Sequence, residues 1–387
     1  MMEIPLSSPD ITQEEIDAVT AVLRTNRLSL GPELEAFEQA MATYHGVPAA
    51  VAVSSGTAGL HLSLLALGVG EGCEVIVPSF AFVAVANAVV YVGATPIFVD
   101  IDPVTLNLDP ALVEQAVTPR TRAILAVHTF GVPAEMDRLA NIARAHNLAV
   151  IEDACEAIGA EYDSQKVGRF GDLSVLAFYP NKQITTGEGG CVLARDSDVA
   201  GRLRSLRNQG RPQAGGRSCG ANDQKNGDGN WFEHVEIGYN YRLSELACAL
   251  GRVQLGRIGE ILLLRRAVAE RYNALLEGVA GIKRPPIWLP RRSISWFVYV
   301  VQLETGEKEP AWRDRVQARL AERGISSGRY FAPIHQQRAW RDRAPRGSLP
   351  MTEAIAQSTL ALPFFNRITS NQQGEVARRL EEAIVAL

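Results

Sequence analysis

The chain has 387 residues, 47% hydrophobic and 21% charged, with a formal net charge of −4. This is a globular composition, long enough for two domains that share a sizeable core, and it lacks the basic excess that nucleic-acid or membrane-surface binding requires. The start, MMEIPLSSPDITQEEIDAV, has no basic leader and no apolar core, the five cysteines and six histidines are scattered without metal-ligand spacing, and no run reaches the roughly 18 apolar residues of a membrane span, so a cytoplasmic protein without a metal site is expected.

From residue 49 onward, short apolar runs alternate with amphipathic stretches. AAVAVSS (49–55), CEVIVPS (73–79), TPIFVD (95–100), AILAVHT (123–129), LAVIEDA (148–154), LSVLAFY (173–179) and GCVLA (190–194) read as strands bounded by Gly, Pro and Asp. AGLHLSLLALGV (58–69) and EMDRLANIARAHN (135–147) carry helical periodicity between them. The pattern predicts an α/β fold with a mostly parallel seven-stranded sheet covered on both faces, in which ligands gather at the carboxyl ends of the strands. Polar residues fall at those ends: Ser54 to Thr57, Ser79, Asp100, His128 and Asp153.

PQAGGRSCGANDQKNGDGN (212–230) has almost nothing to bury and reads as a surface loop, a possible lid. A long helical pattern, 243–276, connects to a smaller α/β unit with one strand in SWFVYVVQL (295–303) and helices near 310–323 and 371–386. The expected division is a large domain over 1–250, then the connecting helix and a small domain over 251–387.

FYPNKQITTGEGG (178–190) sets a lone cation, Lys182, on a Gly-rich turn between two strands. A lysine that forms a Schiff base must shed its proton in a sheltered pocket. Pyridoxal 5'-phosphate also requires an acid for its ring nitrogen, a phosphate cradle and a flat group against the ring. Asp153, ending a strand, suits the first role, or else caps a helix. The turn Ser55-Gly56-Thr57 suits the second, since amides at a helix start favour an anion, although the same residues serve as ordinary caps. Phe82 suits the third, or else is plain core.

These residues occur in order within LSLGPELEAFEQAMATYHG, VSSGTAGLHLSLLALGVG, EVIVPSFAFVAVANAVVYVGATPIFVDID, VHTFGVPAEMD, IEDACEAIGAEY, KQITTGEGG, LRNQGR, GYNYRLSELACALG and YFAPIH. From near residue 5 to the C-terminus the chain resembles the DegT/DnrJ/EryC1/StrS family of pyridoxal-phosphate sugar aminotransferases. The resemblance implies a fold-type I architecture and a homodimer with active sites at the interface. It also implies a glutamate donor and a nucleotide-linked keto-sugar acceptor. It makes Lys182 the cofactor-bearing lysine, Asp153 the partner of the ring nitrogen, Ser55, Gly56 and Thr57 the phosphate turn, and Phe82 the stacking ring. Asn240 would reach the neighbouring subunit's phosphate, or be a turn residue before the long helix, and Tyr330 and His335 would meet substrate.

Three positions depart from the family pattern. Ala177 stands where Ser often holds the phosphate, a bond that Asn181 could replace, and Ala81 stands where Thr is frequent. Glu156 stands near the cofactor's phenolic oxygen, where Gln or His is common, a feature of branches that aminate C4 of a 4-keto-6-deoxy sugar. Lys182 argues against the 3-dehydrase branch, which has His there. A cyclitol or other ketone acceptor stays open. A non-catalytic, cofactor-binding sensor would be expected to lose Lys182 or Asp153, and the missing GxGxxG excludes a dinucleotide fold.

Overall fold

The computed structural model describes residues 3–214, 217–218, 233–304, 311–343 and 347–386. Helix α1 (Gln13–Leu23) starts at a capping box formed by Thr12 and Glu15, and α2 (Pro32–His45) starts at a proline. Then follow β1 (Ala49–Val53), α3 (Gly56–Ala66), β2 (Glu74–Pro78), α4 (Ala84–Tyr91), β3 (Thr95–Val99), α5 (Pro110–Ala116), β4 (Thr121–Val127), α6 (Met136–His146) and β5 (Ala149–Asp153). A short hairpin, β6 (Glu161–Tyr162) and β7 (Gln165–Lys166), leads to β8 (Leu173–Ala177), β9 (Gly190–Ala194) and α7 (Ser197–Arg207).

The seven expected strands form one sheet in the order β1-β9-β8-β5-β4-β2-β3. All neighbours are parallel except β9, which runs antiparallel to both β1 and β8. The reason is the form of the loop. Residues 178–189 hold no helix that could cover a sheet face, and the Phe178 N–H closes the loop on the Gly189 carbonyl at 2.9 Å, so the chain turns back on itself. Two reversals restore direction, and β1 points the same way as β8, β5 and β4. Their carboxyl ends therefore share one edge, which carries residues 55–57, 178–182, 153–156 and 128–130. Every residue of β1, β2 and β9 is buried, which is why these strands read as unbroken apolar runs.

Beyond the sheet lie β10 (Gln213–Ala214), β11 (Arg217–Ser218), α8 (Glu245–Gly256) and α9 (Ile258–Leu275). Most of the loop expected at 212–230 falls outside the described residues. The single helix expected over 243–276 is instead two, meeting at Arg257 (φ −92°, ψ 4°). Gly256 and Gly259 flank the break and weaken helical continuation, while the Arg257 guanidinium reaches Glu15 and Glu260. Position 250 lies inside α8, which packs on α1 and α2.

The last third contains β12 (Ile282–Lys283), β13 (Arg292–Ser293), β14 (Tyr299–Leu303), α10 (Trp312–Glu322), α11 (Pro350–Ser358), β15 (Thr359–Leu362) and α12 (Ser370–Val385). The antiparallel sheet β12-β14-β15 shares a second core with α9, α10 and α12, built on Tyr272, Tyr299, Trp312, Leu360 and Leu380. Ile4 joins that core and bridges to Ile325, so the N-terminal residues pack with the C-terminal ones. One strand crosses back: β13 pairs with β6, and the Ser295 N–H donates to the Gly131 carbonyl at 3.1 Å. Gly131 has φ +84°, and a Cβ there would lie 1.7 Å from the Ser295 carbonyl oxygen, so only glycine fits this crossing. The crossing carries residues 295–297 to the shared strand edge.

Candidate active site

A cavity of about 480 Å³ opens at that edge, walled by residues from the ends of β1, β5 and β8 and by the returning segment. Lys182 lies in its wall with a side chain only 14% exposed. Its Nζ is 3.4 Å from Glu156 Oε1 and 4.0 Å from the centroid of the Phe297 ring. This is not a solvated surface lysine.

Asp153 also lines the cavity and is 8% exposed. Its Oδ1 accepts the Cys155 N–H at 3.1 Å, and no helix begins after it, so the helix-cap alternative does not arise. Glu156 Oε2 accepts the Phe130 N–H at 3.0 Å. Burial pushes the Glu156 carboxyl above its ordinary range, against the opposing pull of the Lys182 charge.

Ser55 is the N-cap of α3, its Oγ accepting the Ala58 N–H at 3.1 Å. The cap leaves the first amides of the helix, those of Gly56 and Thr57, without an intrahelical partner and free to meet an anion. The helix start is pressed against β8. A Cβ on Gly56 would meet Ala177 Cβ at 2.8 Å and Cys155 Sγ at 3.0 Å. Asn181 lines the same wall and bonds the Tyr330 phenol, and its Oδ1 is buried without a hydrogen-bond partner, so a ligand group that donates is needed to satisfy that oxygen.

Phe82 is 62% exposed at the cavity and is not core. Tyr330 lines the opposite side, its ring parallel to Phe297 at 11° with centroids 6.3 Å apart. Burial, and then the Glu156 charge, pushes its phenol upward.

Two expected site residues lie elsewhere. His335 is not part of the wall. Its Nδ1 shares a hydrogen bond with the Ser79 hydroxyl at 2.6 Å, its backbone N–H donates to Ser79 Oγ at 3.1 Å, and Nε2 faces Glu353 at 3.3 Å. It fastens the loop that carries Tyr330 to the end of β2. Asn240 is exposed and bridges to Asn208, away from the cavity of its own chain. Its segment is nonetheless tied to the start of the Ser55–Thr57 turn, because the Ser54 N–H donates to the Tyr241 carbonyl at 2.8 Å. Of the other polar strand ends, Asp100 caps α11 through the Met351 and Thr352 amides, and His128 pairs with buried Glu152.

The cavity also holds residues that the sequence did not single out: Phe297, Phe331, Tyr179, Cys155 and Glu188. Cys155 and Glu188 lie within the matched motifs, so proximity to Asp153 and Lys182 could have marked them. Phe297 had no local signal. Gln183, next to Lys182, bonds the Glu156 carbonyl at 2.6 Å and Ser295 Oγ at 3.0 Å, locking the lysine turn to the returning segment.

A sheltered amine at the carboxyl edge of a mostly parallel sheet, facing an aromatic wall brought in by a second core, is the arrangement of the fold-type I aminotransferases. The chain belongs to the DegT/DnrJ/EryC1/StrS aminotransferase family, which matches residues 9–381. It is 39% identical to GDP-perosamine synthase of Caulobacter vibrioides over 387 residues, 99% of this chain and 98% of that protein. Among solved structures, S. venezuelae DesV in complex with a ketimine intermediate has a TM-score of 0.88 at 36% identity, covering 99% of this chain and 98% of that one. The PLP-form of Spr1654 from Streptococcus pneumoniae has a TM-score of 0.91 at 26% identity, covering 100% and 99%. The chain is an aminotransferase, and the sensor alternative falls away.

Proposed function

We propose that this enzyme moves an amino group from glutamate to a nucleotide-linked keto-sugar, at C4 of a 4-keto-6-deoxyhexose, with pyridoxal phosphate carried on Lys182. The observation that carries the reading is the sheltered Lys182 amine, 3.4 Å from Glu156, in a cavity whose wall includes the start of α3. The similarity to GDP-perosamine synthase supports a sugar acceptor, and Glu156 supports the C4 position.

The residues present fit the cofactor. The Gly56 and Thr57 amides and the Ser55 hydroxyl would hold its phosphate, with the donating NH2 group of Asn181, not its orphaned Oδ1, in place of the hydroxyl that Ala177 lacks. Asp153 would hold the proton on the ring nitrogen, Glu156 would face the phenolic oxygen, and Phe82 would cover the ring. When bound, the cofactor supplies an electron sink for the carbon that loses a proton. Lys182 Nζ, the only amine among the described wall residues, takes a proton from the amino-bearing carbon of the donor and returns one to the sugar carbon. The aromatic wall of Phe297, Tyr330 and Phe331 keeps water from that amine.

The enzyme works as a cytoplasmic homodimer in this reading, with Asn240 serving the partner's phosphate. Its exposure outside its own cavity supports this assignment. No described helix is long and apolar enough to cross a membrane. The test is incubation of the purified protein with glutamate and a panel of UDP-, dTDP- and GDP-linked 4-keto sugars, read by mass spectrometry. Nitrogen gained by one of them is the expected result, and nitrogen gained only by a cyclitol or other free ketone would overturn the sugar assignment. Borohydride should fix the cofactor on Lys182, and a label mapped to another lysine would overturn that role.

A further inference from the structure

Phe297 is buried and held with unusual firmness for an aromatic residue in a cavity wall. The buried Arg265 guanidinium donates to its carbonyl at 2.7 Å and to the Trp296 carbonyl at 2.6 Å. The third donor of Arg265 goes to Asn366 Oδ1 at 3.0 Å, and Asn366 in turn donates to Asp10. On the other side, Ser295 is fixed by Gly131 and by Gln183. The backbone under Phe297 is thus bonded to α9, through Arg265 to Asn366 in the loop between β15 and α12, and to the lysine turn, and its ring face meets Lys182 Nζ at 4.0 Å.

We propose that Phe297 is a positioning residue for Lys182, its ring face being the seat of the ammonium whenever the amine is not bonded to the cofactor. This rests on Lys182 as the cofactor-bearing amine. The physical reason for a ring is its moderate hold. A ring face attracts an ammonium by about 0.5–2 kcal/mol and engages none of its N–H bonds in a fixed geometry. A second buried carboxylate would bind far more tightly and resist release. The other charged or titratable groups on this cavity are Asp153 at the end of β5, Cys155 and Glu156 from the turn after it, Tyr330 from the C-terminal loop, and Tyr179 and Glu188 from the lysine turn itself. All of them remain when Phe297 is replaced.

The test uses the full-length chain freed of cofactor. An amine-acylating reagent reacts only with the uncharged amine, and peptide mapping gives the labelling rate of Lys182 at fixed pH. Phe297→Leu and Phe297→Met keep an apolar side chain without a ring face, and Phe297→Tyr keeps the ring. Leu and Met variants should label Lys182 about two- to thirtyfold faster, which is the attraction above at 1.36 kcal/mol per tenfold, and the Tyr variant at the wild-type rate. Alkylation of Cys155 in the same samples reports any general loosening of the cavity and should not rise. Wild-type labelling in the Leu and Met variants overturns the proposal, as does a matching rise at Cys155. If one of the two fails to fold, the other decides, and because the readout needs no cofactor, it is separate from the borohydride result.

Discussion

Gly56→Ala tests whether the start of α3 is a cradle. The new Cβ would sit 2.8 Å from Ala177 Cβ and 3.0 Å from Cys155 Sγ. Reaching an ordinary contact of about 3.4 Å requires a retreat of roughly 0.6 Å by the helix start or by β8. Replacing glycine by alanine would otherwise stabilise the fold by about 0.4–1 kcal/mol through the unfolded chain, but overpacking of this kind costs about 1–3 kcal/mol, so the net sign is destabilising. The same retreat withdraws the Gly56 and Thr57 amides from the anion. A hydrogen bond to a charged group is worth about 1.5–3 kcal/mol, so losing one lowers cofactor affinity roughly ten- to a hundredfold. Gly59→Ala is the control. Its Cβ would meet Val175 Cγ1 at 2.7 Å, a similar crowding one turn further along the helix. Both variants should melt a few degrees lower, and only Gly56→Ala should lose most of its affinity when cofactor-free protein is titrated with pyridoxal phosphate and followed by visible absorption. Wild-type affinity in Gly56→Ala would refute the cradle, and so would an equal loss in Gly59→Ala.

Asp153→Asn nearly keeps the shape and removes the charge, so the glutamate half-reaction should slow by orders of magnitude with an unchanged melt; an unchanged rate would remove the electron-sink role. Mixing inactive Lys182→Ala with inactive Asn240→Ala chains should restore part of the activity, because some mixed dimers hold one intact site, and no recovery after subunit exchange would confine Asn240 to its own chain. Glu15 is 1% exposed; burial raises its carboxyl, but hydrogen bonds from Thr12, Arg257 and Gln254 outweigh this and bring it from 4.5 down to about 2. A lowered folded value stabilises above the unfolded one, so Glu15→Gln should cost about 3 kcal/mol at neutral pH, with the penalty shrinking below pH ~4.5 and vanishing towards pH ~2. Melts of both proteins across that range check it, and a penalty that does not change with pH would contradict it.

Much of the fold is legible locally. Burial on both faces writes each sheet strand as a short apolar run, and the alternation with helical periods announces a covered parallel sheet. The place of Lys182, Asp153 and the Ser55–Thr57 turn follows from this, because each sits at a strand end and the sheet gathers those ends. The two-glycine break at Arg257 was also present in the sequence, but an otherwise continuous helical period hid it. Local pattern carries no information about partners more than a hundred residues apart. Ser79 and His335 meet across such a distance, so the sequence could note the histidine but not that it ties its loop to the end of β2. Phe297 reads as one more apolar residue of a strand segment. Only the pairing of β13 with β6, and a glycine at 131 that lets two backbones touch, put its ring over the lysine.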